Sequence, residues 1–259
     1  MDLRQLGPRL ARAARPRVEN VIVHRRIDST QACALRLIDQ AENEEIDLAP
    51  TLTIALEQQH GKGRIGRRWQ SPEGGLYMTW LAAGLDDRCL ALLPMVAAAA
   101  ALDAVGRLGV EDAVIKWPND IEVDGRKLAG LLLHARRGET SWAAVGFGVN
   151  LAHAPDIDDG SGGRAVSVAD LVGPASFEER SEILVRAVTE GLAGGVQHPE
   201  GLVERWRRAL RHRPGEPMAV RLADGAEIRG RFAGITDDGH LTLDVDGDER
   251  VVPSGDVVE

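Results

Sequence analysis

Apolar positions along the 259-residue chain follow two periods, and the change between them separates an α+β portion from an all-β tail. Residues 18–27 (VENVIVHRRI) carry β-branched side chains at Val18, Val21, Ile22, Val23 and Ile27, which predicts a strand. It stops at Asp28-Ser29-Thr30, residues suited to capping a helix, and residues 31–41 continue with the spacing of an amphipathic helix. Residues 52–56 (LTIAL) predict a second strand, which runs through Glu57, Gln58 and Gln59 towards a glycine-rich stretch. A third strand follows at 76–83, and the alanine-rich run 90–108 predicts a buried helix ended by Gly109. A short apolar strand at Val114-Ile115 leads into Lys116-Trp117-Pro118-Asn119-Asp120, where Pro118 interrupts regular pairing. Residues 121–123 and 126–134 flank the turn signal Asp124-Gly125 and predict a hairpin, and 142–149 predict another strand.

Residues 153–164, rich in Asp, Gly and Pro, predict a loop, and 177–192 and 199–210 predict amphipathic helices. Beyond Arg213-Pro214-Gly215 the pattern becomes short and alternating, at 218–222, 228–235, 241–245 and 250–252. Asp224-Gly225, Asp238-Gly239 and Asp246-Gly247 punctuate these segments, which predicts a small antiparallel barrel. The first 17 residues, with Arg4, Arg9, Arg12, Arg15 and Arg17, predict a short helix. Asp2 and the lack of serine count against an organelle-targeting peptide there. The expected organisation is a helical extension over 1–17, a main domain over 18–212 and a β domain over 213–259.

Composition narrows the function classes. Hydrophobic residues at 44% and charged residues at 27% fit a soluble globular protein, and a cytoplasmic location is expected. A formal net charge of −9 argues against general affinity for nucleic acid. Cys33 and Cys89 are too few for a disulfide framework and have no metal-ligand spacing, so both are expected reduced. The longest apolar run, 90–102, contains Pro94 and is too short to span a membrane.

Against this acidic background, Gly61-Lys62-Gly63-Arg64-Ile65-Gly66-Arg67-Arg68-Trp69 is a local concentration of positive charge. Glycines permit close backbone approach and positive φ, and arginine adds a planar fork matched to carboxylate or phosphate oxygens. The stretch reads as a loop that closes over an anion. A second cluster, Lys116, Asn119, Asp120 and Lys127, falls within twelve residues. The lysines suit phosphates, Asp120 a magnesium ion, and Asn119 a base or ribose; solvated surface charge is the plain alternative for each lysine. Ser29 and Thr30 are either a simple helix cap or, with the backbone N–H groups beside them, a site for a ligand's polar end.

These pieces together resemble the bacterial-type biotin protein ligases, in the short form without a DNA-binding domain. The resemblance rests on Asp28-Ser29-Thr30, Gln58 ahead of residues 61–69, Lys116 to Asp120, Lys127 to Gly130 and Gly148-Val149-Asn150, in that order. It implies a mixed β-sheet flanked by helices, like that of class II synthetases, with an SH3-like C-terminal barrel. It also implies biotin and ATP as substrates with Mg²⁺, and as partner the biotin carboxyl carrier protein of acetyl-CoA carboxylase, with a homodimer as a further option. Carried onto this sequence, Ser29, Thr30, Gln58, Gly61, Gly63, Arg64, Lys127 and Gly130 would contact biotin. Arg64, Arg67, Trp69, Lys116, Asn119, Asp120 and Asn150 would serve the nucleotide, with Asp120 towards the metal. Arg64, Lys127 and Lys116 would carry the chemistry. The loop departs from its usual Gly-Arg-Gly-Arg at Lys62, which keeps the charge but loses the fork, and His60 replaces a small residue. A helix-turn-helix module does not fit ahead of Val18, so no DNA-binding role is expected. The competing readings are a lipoate- or octanoate-transferring enzyme of related fold and a nucleic-acid-binding regulator.

Overall fold

The computed structural model describes residues 2–138, 140–156 and 164–258. Among the described residues six helices and thirteen strands run in the order α1 (Leu3–Ala14), β1 (Asn20–His24), α2 (Thr30–Glu44), β2 (Thr51–Ala55), β3 (Gly75–Ala83), α3 (Asp87–Gly106), β4 (Val114–Lys116), β5 (Asp120–Val123), β6 (Arg126–Arg136) and β7 (Trp142–Asn150). Then come β8 (Arg164–Ala165), α4 (Val168–Val172), α5 (Phe177–Gln197), α6 (Glu200–Arg208) and the tail strands β9 (Pro217–Arg221), β10 (Glu227–Ile235), β11 (Leu241–Val245), β12 (Asp248–Val252) and β13 (Asp256–Val258). The expected loop at 153–164 lies largely in 157–163, outside the described residues.

The main sheet runs β1-β2-β3-β7-β6-β5-β4, with β8 pairing to β6. β1 and β2 are parallel and the path from β2 to β4 is antiparallel, so the sheet is mixed, as expected. Alternation along β3 and β7 assigns the two faces. Leu76, Met78, Trp80 and Ala82, with Val145, Phe147 and Val149, join the large core that contains α3. Leu81 and Ala144 turn the other way, against Ala34, Ile38 and Ala41 of α2. That second face continues along β7 as Gly146, Gly148 and Asn150, where side chains are small or polar. α2 covers the bulky end of this face, and the open end becomes a cleft.

α3 corrects one expectation. It runs 20 residues, straight through Pro94, and by length and mean hydropathy (2.0) is sufficient to cross a membrane. Most of it is buried, and it packs against α5 and α6. Packing of this kind sustains the helix where proline removes an internal hydrogen bond. The first strand is also shorter than its sequence pattern, with residues 25–27 running beside Glu57 and Gln59 instead.

The tail folds as a five-stranded antiparallel sheet, β12-β11-β10-β9-β13. Its last strand, β13, lies beyond the segments that the pattern marked. Trp117, 2% exposed, donates its indole N–H to the Gly239 carbonyl (3.0 Å) in the turn between β10 and β11. The tail is thereby seated on the Lys-Trp-Pro-Asn-Asp turn. α1 buries Leu6, Leu10, Ala13 and Ala14 and packs against α5 and β1. Cys33 and Cys89 are both free.

Candidate functional site

The cleft on the open face encloses about 1050 Å³ of empty space, its mouth included. One end is neutral and tightly hydrogen-bonded. Ser29 caps α2 by accepting from the Ala32 N–H (3.3 Å), so the simple-cap reading holds for it. It also lines the cleft at 1% exposure, and its own hydroxyl proton remains for a ligand. Thr30 donates both its backbone N–H (2.8 Å) and its hydroxyl (3.1 Å) to Gln58 Oε1. Gln58 Nε2 in turn donates to Ser71 Oγ at 2.9 Å, leaving one N–H free. The strands make this meeting possible: Gln59 N–H donates to the Ile27 carbonyl (2.9 Å) and His60 N–H to that of Asp28 (2.8 Å), which holds the two strand ends side by side.

Behind Thr30 the chain of contacts extends to residues that sequence reasoning did not single out. Thr79 Oγ1 lies 2.9 Å from Thr30 Oγ1 and 3.2 Å from Gln31 Oε1. Gln31 Nε2 donates to the Ala144 carbonyl (3.0 Å) and meets His134 Nδ1 at 2.9 Å. A carbonyl only accepts, so this amide has one orientation, and both its hydrogens are taken. Nδ1 is therefore the acceptor and His134 carries its proton on Nε2. Burial pulls the His134 pKa below its ordinary value, and the positive charge of Lys62 acts in the same direction.

The other end of the cleft is cationic. Residues 61–69 fold into a hairpin over it, with Lys62 paired to Arg68, Gly63 N–H donating to the Arg67 carbonyl (2.8 Å) and Trp69 N–H to that of Gly61 (2.9 Å). Its tip, Arg64-Ile65-Gly66-Arg67, closes with φ of +52° at Ile65 and +72° at Gly66, the signs of a type I′ turn. Lys62, Gly63, Arg64, Arg67 and Arg68 all line the cleft. Gly61 does not; a Cβ there would lie 2.4 Å from the Trp69 carbonyl and 2.5 Å from Ser71 Oγ. Its part is to let the loop's two ends touch.

Trp69 lies on the floor. Gly130 and Gly148 face each other in register on β6 and β7, and Cβ atoms on them would come within 2.8 and 2.5 Å of the indole. Lys127 reaches over the ring, its Nζ 5.0 Å from the centroid and 2.7 Å from Asp120 Oδ2. Asn150 donates to the Val166 carbonyl (3.2 Å), while its buried Oδ1 has no partner among the described residues. Such an acceptor suits an amino or hydroxyl group of a nucleoside.

Two expected residues stand differently. Asn119 lines the cleft, but its amide is engaged with the Leu131 carbonyl and with Arg64 Nη1 at 3.3 Å. Lys116 is absent from the lining. It sits directly opposite Asp120 across β4 and β5, one strand further out, with Nζ 3.7 Å from the buried carboxylate of Glu122. Glu122 holds it there because a carboxylate at 4% exposure needs cationic partners. Among the described residues no three His, Cys, Asp or Glu side chains gather as a metal site. Asp120 is the cleft's acidic group, which fits a magnesium ion carried on nucleotide phosphates and keeping most of its waters.

Residues 23–150 match the model of the biotin/lipoate A/B protein ligase family, and residues 215–258 match the biotin protein ligase C-terminal domain. The biotin–[acetyl-CoA-carboxylase] ligase of Paracoccus denitrificans is 35% identical over 232 residues, 85% of this chain and 96% of that one. The corresponding ligase of Mycobacterium tuberculosis is 31% identical over 82% of this chain and 80% of its own. The biotin protein ligase from Aquifex aeolicus, solved with biotin and ATP, superposes with a TM-score of 0.70 at 22% identity, covering 92% and 97% of the two chains. Two relatives above 30% identity match over four fifths or more of both chains, and the chain belongs to the biotin protein ligase family.

Proposed function

We infer that the protein is an ATP-dependent ligase that activates biotin and transfers it to a lysine of a biotin carboxyl carrier protein. The observation that carries this reading is the junction between the two ends of the cleft. Ser29, Thr30 and Gln58 offer neutral donors and acceptors to an uncharged ureido head, and Lys127 with the loop cations waits where a carboxylate must meet a phosphate. In the first step a biotin carboxylate oxygen bonds to the α-phosphorus of ATP and pyrophosphate leaves. In the second, the acceptor lysine's neutral amine bonds to the acyl carbon, the bond from that carbon to the phosphate oxygen breaks, and AMP and the amine's proton leave.

Two anions approach in the first step, so groups that stabilise the accumulating negative charge lower the barrier most. Lys127 and Arg64 are assigned that role, and Trp69 and Asn150 the nucleoside. Asp120 would give one oxygen to Mg²⁺, which when bound neutralises phosphate charge. Lys116 would reach the outer phosphates on leaving Glu122. No covalent bond to the enzyme is needed.

Removing one such cation costs roughly 3–4 kcal/mol of barrier, about two to three orders of magnitude in rate. Lys127→Ala is expected to lower biotin-dependent pyrophosphate release by that factor. A rate within threefold of the unaltered protein would take Lys127 out of the reaction. The same reading includes a cytoplasmic location, and the net charge of −9 argues against a DNA-binding role. A side-by-side dimer through β1, which pairs on one side only among the described residues, belongs to it too. Sedimentation at working concentration decides that point, and a monomer would remove it.

A further inference from the structure

Of the loop's three guanidinium forks, those of Arg64 and Arg67 are not directed only at the cleft. Arg64 Nη2 donates to Ser254 Oγ (2.9 Å) and Nη1 to the Gly255 carbonyl (3.2 Å), and Asp256 Oδ1 lies 3.7 Å away. Arg67 Nη2 meets the other Asp256 oxygen at 2.5 Å. All three partners belong to the C-terminal sheet or the turn entering its last strand, some 190 residues along the chain. The contacts are sheltered: the Arg64 side chain is 18% exposed and that of Asp256 26%. Burial lowers the Arg64 pKa, while Asp256 and Asp120 oppose that effect.

We propose that Asp256 is a positioning residue: through Arg67 it fastens the hairpin to the C-terminal domain, so that Arg64 stays at the cleft and the adenylate is sealed in. This rests on the ligase reading above. Arg64 and Arg67 differ in what they can give up. Arg64 lines the cleft, and its longer contact to Asp256 yields to an arriving carboxylate or phosphate. Arg67 forms the shorter pair and is half exposed, so it holds the loop while Arg64 turns. The C-terminal sheet itself is fixed through Gly239 to Trp117, beside Asn119 and Asp120, so the latch is anchored on the site it closes. A carboxylate is needed at 256 because one group must serve two guanidinium forks.

The test is release of biotinyl-adenylate from the purified full chain, followed by rapid dilution, beside biotin-dependent pyrophosphate formation. A partly exposed pair of this kind supports about a fivefold effect. Asp256→Asn is expected to release adenylate about fivefold faster, while forming pyrophosphate within about twofold of the unaltered protein. Asp256→Glu, which restores the charge, is expected to return release to near its original rate. Added salt should quicken release from the unaltered protein more than from Asp256→Asn, where only the contacts to the adenylate's own charge remain to be screened. Unchanged release from a folded Asp256→Asn protein overturns the proposal. So does loss of pyrophosphate formation with biotin binding and thermal unfolding intact, since that would put Asp256 in the chemistry. Absence of pyrophosphate formation in the unaltered protein would instead defeat the ligase reading.

Discussion

The amide of Gln31 has one orientation open to it, and the consequences run to the biotin end of the cleft. With Nε2 held by the Ala144 carbonyl and His134 Nδ1, Oε1 must face Thr79, whose hydroxyl also meets Thr30. Protonating His134 puts a donor where an acceptor is required. Its folded pKa lies below the ordinary value, because burial, and then Lys62, disfavour the charged form. The unfolded chain therefore takes up this proton first as pH falls. The stability contribution is full above about 6.5 and is lost from there down to the lowered folded pKa. Biotin affinity, measured by titration calorimetry, is expected to drop on the acid side of that folded midpoint. In His134→Gln, which accepts a hydrogen bond without titrating there, the drop should disappear. An identical acid loss in both proteins would free the head-group pocket from His134. Lys62, the loop's departure from its usual arginine, thus acts at the neutral end of the cleft as well as the cationic one.

Among elements, the pair β6 and β7 sets the nucleotide end. Side chains on the shared face shrink along β7 from Trp142 through Ala144 and Gly146 to Gly148, so the cleft begins where bulk ends. Gly148→Ala would put a Cβ 2.5 Å from the Trp69 indole, and the ring would have to lift. Stacking on an aromatic ring is worth about 1–3 kcal/mol per base, so the KM for ATP is expected to rise about tenfold or more. Biotin binding without nucleotide should move much less, and equal losses in both would mean general distortion. The alternation that makes this face was legible in Gly146-Phe147-Gly148-Val149-Asn150, as were the loop and the Lys-Trp-Pro-Asn-Asp turn. Thr79 left a weaker signal, a small hydroxyl beside Tyr77 in an otherwise apolar strand. β8 has two residues and α4 five, too few to show a period.

On the scale of the molecule, the two sheets are joined through charge that sequence pattern does not encode. The segment linking α6 to β9 runs along the β4 edge, with Ile115 N–H donating to the Ala209 carbonyl (2.8 Å) and Arg211 N–H to that of Ile115 (2.9 Å). Arg211 also reaches Glu122, 2.8 Å away, so one buried carboxylate serves the connector and Lys116 together. Glu122→Ala removes the buried carboxylate that the connector and Lys116 share and is expected to cost about 2 kcal/mol, read by urea unfolding. A loss under ~1 kcal/mol would mean that the connector is held by its backbone bonds and buried side chains without help from Glu122. Asp256 was missed for the same reason as this pair. Neighbours that are remote in sequence become visible only when the fold brings them together, whereas the order of motifs was sufficient to name the family.

The turn at Ile65 and Gly66 biases the loop towards opening. A β-branched residue at φ +52° costs roughly 1–2 kcal/mol, and only while the hairpin is formed. In equilibrium terms that raises the fraction of open loops about five- to thirtyfold over one with glycine at the tip. A relaxed tip would guard the mixed anhydride more closely, but the incoming lysine would find the loop open less often. The awkward isoleucine trades a little tightness for turnover.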